Sequence, residues 1–432
     1  MARPLRPAER TFVFALADTA AAIVAVALAL WTWSLTAGFA FSPEFVLRHW
    51  PWMLAVPLWV LALAPTRQHG AALDLKSVQR GIAQACGLLL VAYLAAFFFV
   101  GPDTLPRLIA LYILWNAAWL TWAGRLLLLW TLTRQPFTRR MFIVGTGPVA
   151  DAARALLASD KLADVEVVDS SALATDIIVA VSGPVPQQTL DELLEFQERG
   201  LDVVTFTHLY EQTTRRVPVR HVGHDWMLTQ LFAGSASREA SPLAKRLLDV
   251  VAGLALSVIA IVLGLFAAIA ILLESGRPVL YSQTRLGRGG RPFRLTKFRT
   301  MKRDAEVDGP QWSPQNDPRI TGVGRILRRT HIDELPNVWA VLRGDMSMVG
   351  PRPERPEFVS VLEHQVPLYR ARLTVAPGLT GWAQVKTEYG DSVEDATSKL
   401  EYDLYYVRHQ SFWFDVNILL RTAGRMLGWR GR

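Results

Sequence analysis

The sequence predicts a membrane α-helical bundle joined to α/β material, and three observations carry that prediction. The 432 residues are 51% hydrophobic with a mean hydropathy of +0.21. That is too apolar for a wholly soluble protein and too charged for a pure membrane bundle. Four long apolar segments fill the first third of the chain, whereas residues 140–205 change to short β-branched runs separated by helical patterns. A further uncharged stretch, Val250–Leu273, then opens a charged C-terminal part. The length suits two or three domains.

The single cysteine, Cys86, lies in an apolar run and excludes an internal disulfide or a cysteine-based zinc site. The net charge of +8 permits a nucleic-acid partner, but arginines beside membrane segments explain it more simply. No nucleic-acid module is present in the sequence, and no nucleic-acid partner is expected.

Taken in order, residues 1–10 are basic (Arg3, Arg6, Arg10) and lack a small-residue cleavage site, so no cleaved signal peptide is expected. The apolar segments run over Phe12–Trp33, Phe45–Ala64, Ile82–Val100 and Leu108–Leu132. A spanning helix needs about 20 apolar residues, and Arg48, Pro51 and Pro57 interrupt the second. Positive charge gathers at the N-terminus, in 67–80 (Arg67, Lys76, Arg80) and in 134–140 (Arg134, Arg139, Arg140). Four spans with both ends cytoplasmic fit that distribution. Asp18 and Arg125 fall inside spans, where an ionisable residue is a functional candidate by default. Their positions near segment ends favour structural pairing over transport.

Residues 136–238 are expected to form a trimmed Rossmann-like domain, following a membrane domain over 1–135. Strands are expected at Met141–Val144, Val165–Val168, Ile177–Val181 and Val203–Phe206, with a helix over Asp151–Ala158. Gly145-Thr146-Gly147-Pro148-Val149-Ala150 matches a G-x-G-x-x-A dinucleotide fingerprint, and Asp169 lies roughly where a ribose-binding acid would stand. The short intervening segment favours a spacer without a cofactor.

Val250–Leu273 is long enough to cross a bilayer. Yet Lys245 and Arg246 precede it, and Arg277, Arg285, Arg288, Arg291 and Arg294 follow it. Positive charge at both ends does not suit a simple span, so a segment that enters and leaves by one leaflet is expected. Residues 285–303 hold eight Lys or Arg and no acid, a surface suited to lipid headgroups or a pyrophosphate. Arg288-Gly289-Gly290-Arg291 reads as a tight turn between strands, and Lys297 and Arg299 share a face if the second strand reaches them.

The chemistry centres on His331-Ile332-Asp333-Glu334-Leu335-Pro336-Asn337, continuing to Gly344-Asp345-Met346-Ser347-Met348-Val349-Gly350-Pro351-Arg352-Pro353. Two adjacent carboxylates open an apolar helical segment, with Arg328 and Arg329 just before it. Pro336 is tolerated if the helix begins near Asp333, and a helix start attracts anions. A bland reading makes Asp333 a cap and Glu334 a first-turn acid. Together with Lys297-Phe298-Arg299-Thr300-Met301 and Pro377-Gly378-Leu379-Thr380-Gly381-Trp382-Ala383-Gln384-Val385, these blocks from Lys245 onward resemble the bacterial sugar transferase family. Those proteins are monotopic polyprenyl-phosphate hexose-1-phosphate transferases, and the larger exopolysaccharide-type members are the nearest in layout.

The resemblance implies a C-terminal α+β catalytic domain over 239–432, a re-entrant membrane helix at 250–273, and a bacterial inner-membrane location with the soluble parts cytoplasmic. It implies transfer of glucose- or galactose-1-phosphate from a UDP-sugar to undecaprenyl phosphate, releasing UMP, as a first membrane step of exopolysaccharide, capsule or O-antigen synthesis. Asp333 matches the nucleophile and Glu334 its metal-orienting or assisting neighbour, with Mg²⁺ as the expected ion at Asp333 and Glu334. Arg328 and Arg352 match phosphate-holding positions, with Lys297 and Arg299 as further candidates. Asp345 is expected to be a structural cap, and Ala340 stands where the family commonly has Asn. The family bends its membrane helix at a Ser-Pro pair, which is Ile261-Val262 here, leaving Ser257 or Gly264 as substitutes. Membrane lipids and a second copy of the chain, paired through the membrane part, are expected partners.

Two rival readings exist. A membrane-anchored NAD-dependent sugar-nucleotide dehydratase would need a Tyr-x-x-x-Lys pair, which no tyrosine here supplies. A scaffold in a polysaccharide assembly would tolerate loss of Asp333. The end of the chain, Phe412–Leu427, reads equally as an interfacial or a core-packed amphipathic helix.

Overall fold

A computed structural model describes residues 7–67, 75–100, 107–132, 139–159, 162, 165–181, 183, 185–222, 226, 241–303, 305, 317–387 and 392–426. Arg3, Arg6 and Arg134 and the boundary at 238/239 lie outside the described residues. Contacts divide the chain into two units, Met1–Thr214 and Arg215–Arg432.

The first unit opens with helices α1 (Pro7–Ala37), α2 (Pro43–Arg48), α3 (Ala55–Arg67), α4 (Leu75–Val100) and α5 (Arg107–Leu132). The second apolar segment is not one helix. It ends at Arg48, turns through a 3₁₀ stretch at Trp50–Leu54 that starts around Pro51, and resumes as α3. Pro57 is accommodated because it falls in the first turn of α3, where its missing N–H costs no helical bond. At about 1.5 Å per residue, the 13 residues of α3 fall short of a hydrocarbon core. Among the described residues, Thr11–Ala37 and Pro242–Ser275 are long and apolar enough to cross a membrane. α1 packs on α3 and α5, and α4 on the same two helices, around a core of Ala25, Ala29, Trp59, Leu63 and Ile109. Asp18 and Arg125 meet inside this bundle in a bidentate ion pair (3.0 and 2.7 Å), and Trp59 donates to Thr121.

The unit continues as a four-stranded parallel sheet in the order β2-β1-β3-β4, from β1 (Arg139–Val144), β2 (Val165–Val167), β3 (Asp176–Val179) and β4 (Asp202–Thr205). Helices α6 (Pro148–Leu157), α7 (Gln187–Glu198) and α8 (Phe206–Thr214) accompany it. Each expected strand is present within two residues at either end. Gly145 is required by packing, since a Cβ there would lie 2.3 Å from the Ala180 carbonyl oxygen. Asp169 is exposed just past β2. A cavity of about 330 Å³ touches Arg139 and Asp202, the first residues of β1 and β4, at the opposite end of β1 from the glycine turn.

The second unit holds α9 (Pro242–Ser275), the hairpin β5 (Leu280–Leu286) and β6 (Pro292–Phe298), α10 (Gly322–Thr330), a 3₁₀ turn (Ile332–Asn337) and α11 (Val338–Arg343). Then come β7 (Ser347–Val349), α12 (Pro356–Gln365), β8 (Gly378–Thr380), α13 (Trp382–Lys386), α14 (Val393–Arg408) and α15 (Phe412–Met426). The hairpin turns where expected, with Gly289 and Gly290 at φ of 68° and 75°, a region costly for other residues. Val217 and Val219 are buried in the core of this unit, and Val217 donates to the Glu401 carbonyl. The segment 215–222, inside the expected middle domain, therefore packs with the C-terminal fold.

α9 is a single unbroken helix of 34 residues. It has no internal proline, and both expected bend points face inward: Ser257 bonds the Gly253 carbonyl and Gly264 lies against Phe298. A stripe of Asp249, Gly253, Ser257, Ala260, Gly264, Ala267 and Ile271 is buried along its length, the spacing of one helical face. Both ends are fastened to the same fold. Arg246 donates to the Val341 and Leu342 carbonyls near the start, and Glu274 accepts from Val323 N–H near the end. The opposite face, including Val251, Val258, Val262, Phe266 and Leu273, is exposed and apolar.

α15 combines both readings of its sequence. Asp415 and Ile418 are buried while Trp413 and Leu420 are exposed.

Candidate active site

The chain enters the site through His331, which ends α10 in the left-handed region (φ 58°) and starts the 3₁₀ turn. That reversal puts Asp333 and Glu334 on a short turn between two helices. Neither carboxylate caps a helix: the residue at the cap position is His331, without a side-chain bond. Leu335 and Val338 pin the turn against Ala260 in the middle of α9, and Asn337 Oδ1 accepts from Thr296 N–H at 3.2 Å, tying the turn to β6.

The two carboxylates are handled differently. Glu334 is clamped, since Lys297 Nζ donates to its Oε1 at 2.6 Å and Arg352 Nη2 donates to the same atom at 2.7 Å. Burial alone would raise the Glu334 pKa, but Arg352 and Lys297 outweigh it and hold the carboxyl well below its usual range. Asp333 is buried and accepts no hydrogen bond from the described residues. Burial and the neighbouring Glu334 charge push its pKa up, against Lys297, Arg328 and Arg352. The site therefore contains one neutralised carboxylate and one that is close to three cations but bonded to none.

Arg352 follows β7, and its backbone is fixed from behind. Arg372 Nη2 donates to the Arg352 carbonyl at 2.9 Å, Nη1 donates to Tyr369 Oη at 2.8 Å, and the guanidinium pairs with buried Asp403 at 2.8 Å. The glycines of the two flanking motifs serve the same end. A Cβ at Gly378 would lie 2.0 Å from Gly350 N, and one at Gly381 would lie 2.1 Å from Gly350 O, so β7 and β8 approach through bare backbone. The Gly-Pro-Arg-Pro and Pro-Gly-Leu-Thr-Gly words are thus the two halves of one support for Arg352.

Of the residues selected from sequence, Asp333, Glu334, Lys297 and Arg352 come together. Arg328 contributes charge to Asp333 while its Nε donates to Thr300 Oγ1 at 2.9 Å. Arg299 goes elsewhere: its Nη2 donates to the Ser275 and Gly276 carbonyls and to Ser275 Oγ, capping the C-terminus of α9. Strand β6 ends at Phe298, so the shared face with Lys297 does not carry Arg299 into the site. Asp345 forms an exposed pair with Arg343. Sequence reading did not single out Asn337 or the Arg372–Asp403 pair, and it included Arg285 only as part of the basic run 285–303. Asn337 directly follows Asp-Glu-Leu-Pro and was within reach, whereas no spacing links 372 to 403.

No group of three or more His, Cys, Asp or Glu side chains suited to a metal occurs among the described residues. The unbonded Asp333 carboxylate beside Glu334 does fit an ion of the Mg²⁺ type, which takes one or two carboxylates and completes its shell with water and substrate phosphates.

The sequence profile of the bacterial sugar transferase family matches residues 240–428. A UDP-N-acetylgalactosamine-undecaprenyl-phosphate N-acetylgalactosaminephosphotransferase of Aeromonas hydrophila is 38% identical over 230 residues, covering 52% of each chain. A UDP-glucose:undecaprenyl-phosphate glucose-1-phosphate transferase of Caulobacter vibrioides is 44% identical over 205 residues, 46% of this chain and 76% of that protein. One of the same description from Escherichia coli is 43% identical over 158 residues, 36% of this chain and 34% of that protein. The similarity thus spans about half the length of the Aeromonas relative and a third of the Escherichia one.

Proposed function

The chain belongs to the bacterial sugar transferase family, and from that premise we propose that it transfers a hexose-1-phosphate from a UDP-sugar to undecaprenyl phosphate and releases UMP. The observation that carries this reading is the asymmetry of the carboxylate pair. A nucleophile needs an oxygen not tied down by donors, and both Asp333 oxygens meet that condition, whereas Glu334 accepts two short bonds on Oε1 and a third contact at 3.4 Å on Oε2.

In the proposed sequence an Asp333 oxygen attacks the β-phosphorus of the donor. The bond from that phosphorus to the bridging oxygen breaks, and UMP leaves with the oxygen and its electron pair. The phosphosugar is then held on Asp333 as an acyl phosphate. An oxygen of the lipid phosphate attacks the same phosphorus, and Asp333 departs as a carboxylate. Lys297 and Arg352 keep Glu334 ionised and in place, and Arg328 adds positive potential where negative charge develops. Asp333 and Glu334 would hold Mg²⁺, which supplies charge neutralisation on pyrophosphate oxygens.

We propose that the protein lies in the bacterial inner membrane through its N-terminal helices, the second apolar segment entering as the broken run from α2 to α3, with its soluble parts on the cytoplasmic face, where UDP-sugars are made. With both ends of α9 fastened to one fold, its apolar outer face would enter and leave the bilayer by the same leaflet without a break in the helix. The catalytic turn sits on the middle of that helix, so a lipid phosphate would reach Asp333 at the membrane surface. The names of the relatives carry both glucose and N-acetylgalactosamine, while the resemblance to exopolysaccharide-type members favours glucose or galactose. The test is UMP release by full-length protein with undecaprenyl phosphate, Mg²⁺ and a panel of UDP-sugars. Release with one sugar supports the reading and identifies the donor, whereas none from folded protein refutes it.

A further inference from the structure

A pyrophosphate carries several negative charges, and the cations nearest the nucleophile are already engaged. Lys297 and Arg352 donate to Glu334, and Arg328 donates to Thr300. A donor of that kind needs a further cation with hydrogen-bonding capacity left over.

Arg285, on β5, has it. The residue lines the same pocket as Lys297, Glu334, Asn337 and Arg352. Its Nη1 donates to the Pro353 carbonyl at 3.1 Å and reaches Glu354 Oε2 at 3.4 Å. Its Nε is buried without an acceptor, and its Nη2 donates to none of the described residues and is not buried. The guanidinium is therefore anchored by one nitrogen and open at another.

Its surroundings are short of negative charge. Burial, Arg352 and Arg355 lower the Arg285 pKa, against Glu354 and Glu334, so an arriving anion would relieve the imbalance. The anchor is also rigid. Leu286 N–H donates to the Glu354 carbonyl, and Glu354 lies 3.9 Å from buried Arg372, the residue that fixes the Arg352 backbone. Arg285 and Arg352 are thus held by one buried framework on the same pocket.

We infer that Arg285 is an anion-binding residue of the site, donating to a second phosphoryl group of a pyrophosphate-bearing donor while Lys297 and Arg352 remain on Glu334. This rests on the phosphosugar-transferase reading for its substrate class, but its test does not depend on turnover. Full-length protein in detergent is titrated calorimetrically with inorganic pyrophosphate, comparing wild type, Arg285→Gln and Arg285→Lys. Arg285→Gln should weaken pyrophosphate binding about tenfold or more, the loss of a charge-assisted donor. Arg285→Lys should fall between, because it keeps the charge and loses the planar fork. Pyrophosphate binding by Arg285→Gln equal to wild type overturns the inference, whatever happens to thermal stability. If Arg285→Gln does not fold, Arg285→Lys decides: weakened binding upholds the inference and unchanged binding overturns it. Weakened pyrophosphate binding in a protein that releases no UMP from any UDP-sugar would uphold the anion site and count against the transferase reading.

Discussion

Among the aspartates buried beside arginines, Asp18 in the N-terminal helical bundle and Asp333 in the C-terminal fold differ most in their bonding. Asp18 takes both oxygens to Arg125, which also reaches Thr66 at 3.1 Å and lies over the Phe14 ring. Both carboxylate oxygens are bonded there, with Arg125 Nη1 buried and without an acceptor among the described residues. Asp333 has Lys297, Arg328 and Arg352 acting on it electrostatically and is bonded to none. Burying a charge without a bonded partner is costly, so a fold retains that arrangement for a use other than stability. A closed buried pair is a structural fastening, whereas an open carboxylate among cations is a place for chemistry.

The sharpest way to break this contrast is to remove each charge in turn. Asp333→Asn should lower UMP release about a thousandfold or more, as loss of a nucleophile does. Its thermal midpoint should hold or rise, because a desolvated carboxylate has gone. Asp18→Asn should do the reverse. It leaves Arg125 without its carboxylate and should cost about 3–5 kcal/mol of stability, read by thermal unfolding in detergent, with turnover per folded molecule unchanged. A large activity loss in a fully stable Asp18→Asn protein would end the distinction.

A smaller effect is expected where the two roles meet. Arg372 is buried 2.8 Å from Asp403 and also holds the Arg352 backbone. Arg372→Met should lower both stability and kcat, the latter about tenfold through misplacement of Arg352, with Asp333→Asn adding no further stability loss. The smallest effect concerns Glu401, half-matched by Arg216 at 3.7 Å. Burial pushes its carboxyl up to about 7. A carboxyl raised in the folded state binds protons more tightly than the unfolded chain does. Its favourable contribution is therefore complete below the unfolded pKa of 4.5 and is lost as pH rises through about 7. Thermal stability should fall across that interval, and Glu401→Gln should flatten the slope and stabilise by about 1–2 kcal/mol at pH 8.

How much of this was legible depended on whether the signal was local. The parallel strands followed from β-branched runs, the hairpin turn from Gly289-Gly290, and the broken second helix from Pro51. The meeting of Glu334 with Lys297 and Arg352 was suggested by motif order and not by spacing. Arg299 was misplaced because alternation predicts a face only while the strand lasts, and β6 stops one residue earlier. The bend expected in α9 came from family habit, whereas the residues themselves, free of proline between Leu243 and Arg277, propagate a helix. The pairing of Arg285 with Glu354 and of Arg372 with Asp403 was not legible, because the partners lie 69 and 31 positions apart, where no sequence period reaches; Arg285 itself stood out only as one of the basic run 285–303.

The most direct test of the central claim is the mass of the peptide carrying Asp333 after full-length protein meets the UDP-sugar that supports UMP release, without lipid acceptor. A phosphosugar increment on Asp333, removed by adding undecaprenyl phosphate, is the predicted result. UMP release at the wild-type rate from Asp333→Asn, or an increment on Glu334 instead, would contradict the account.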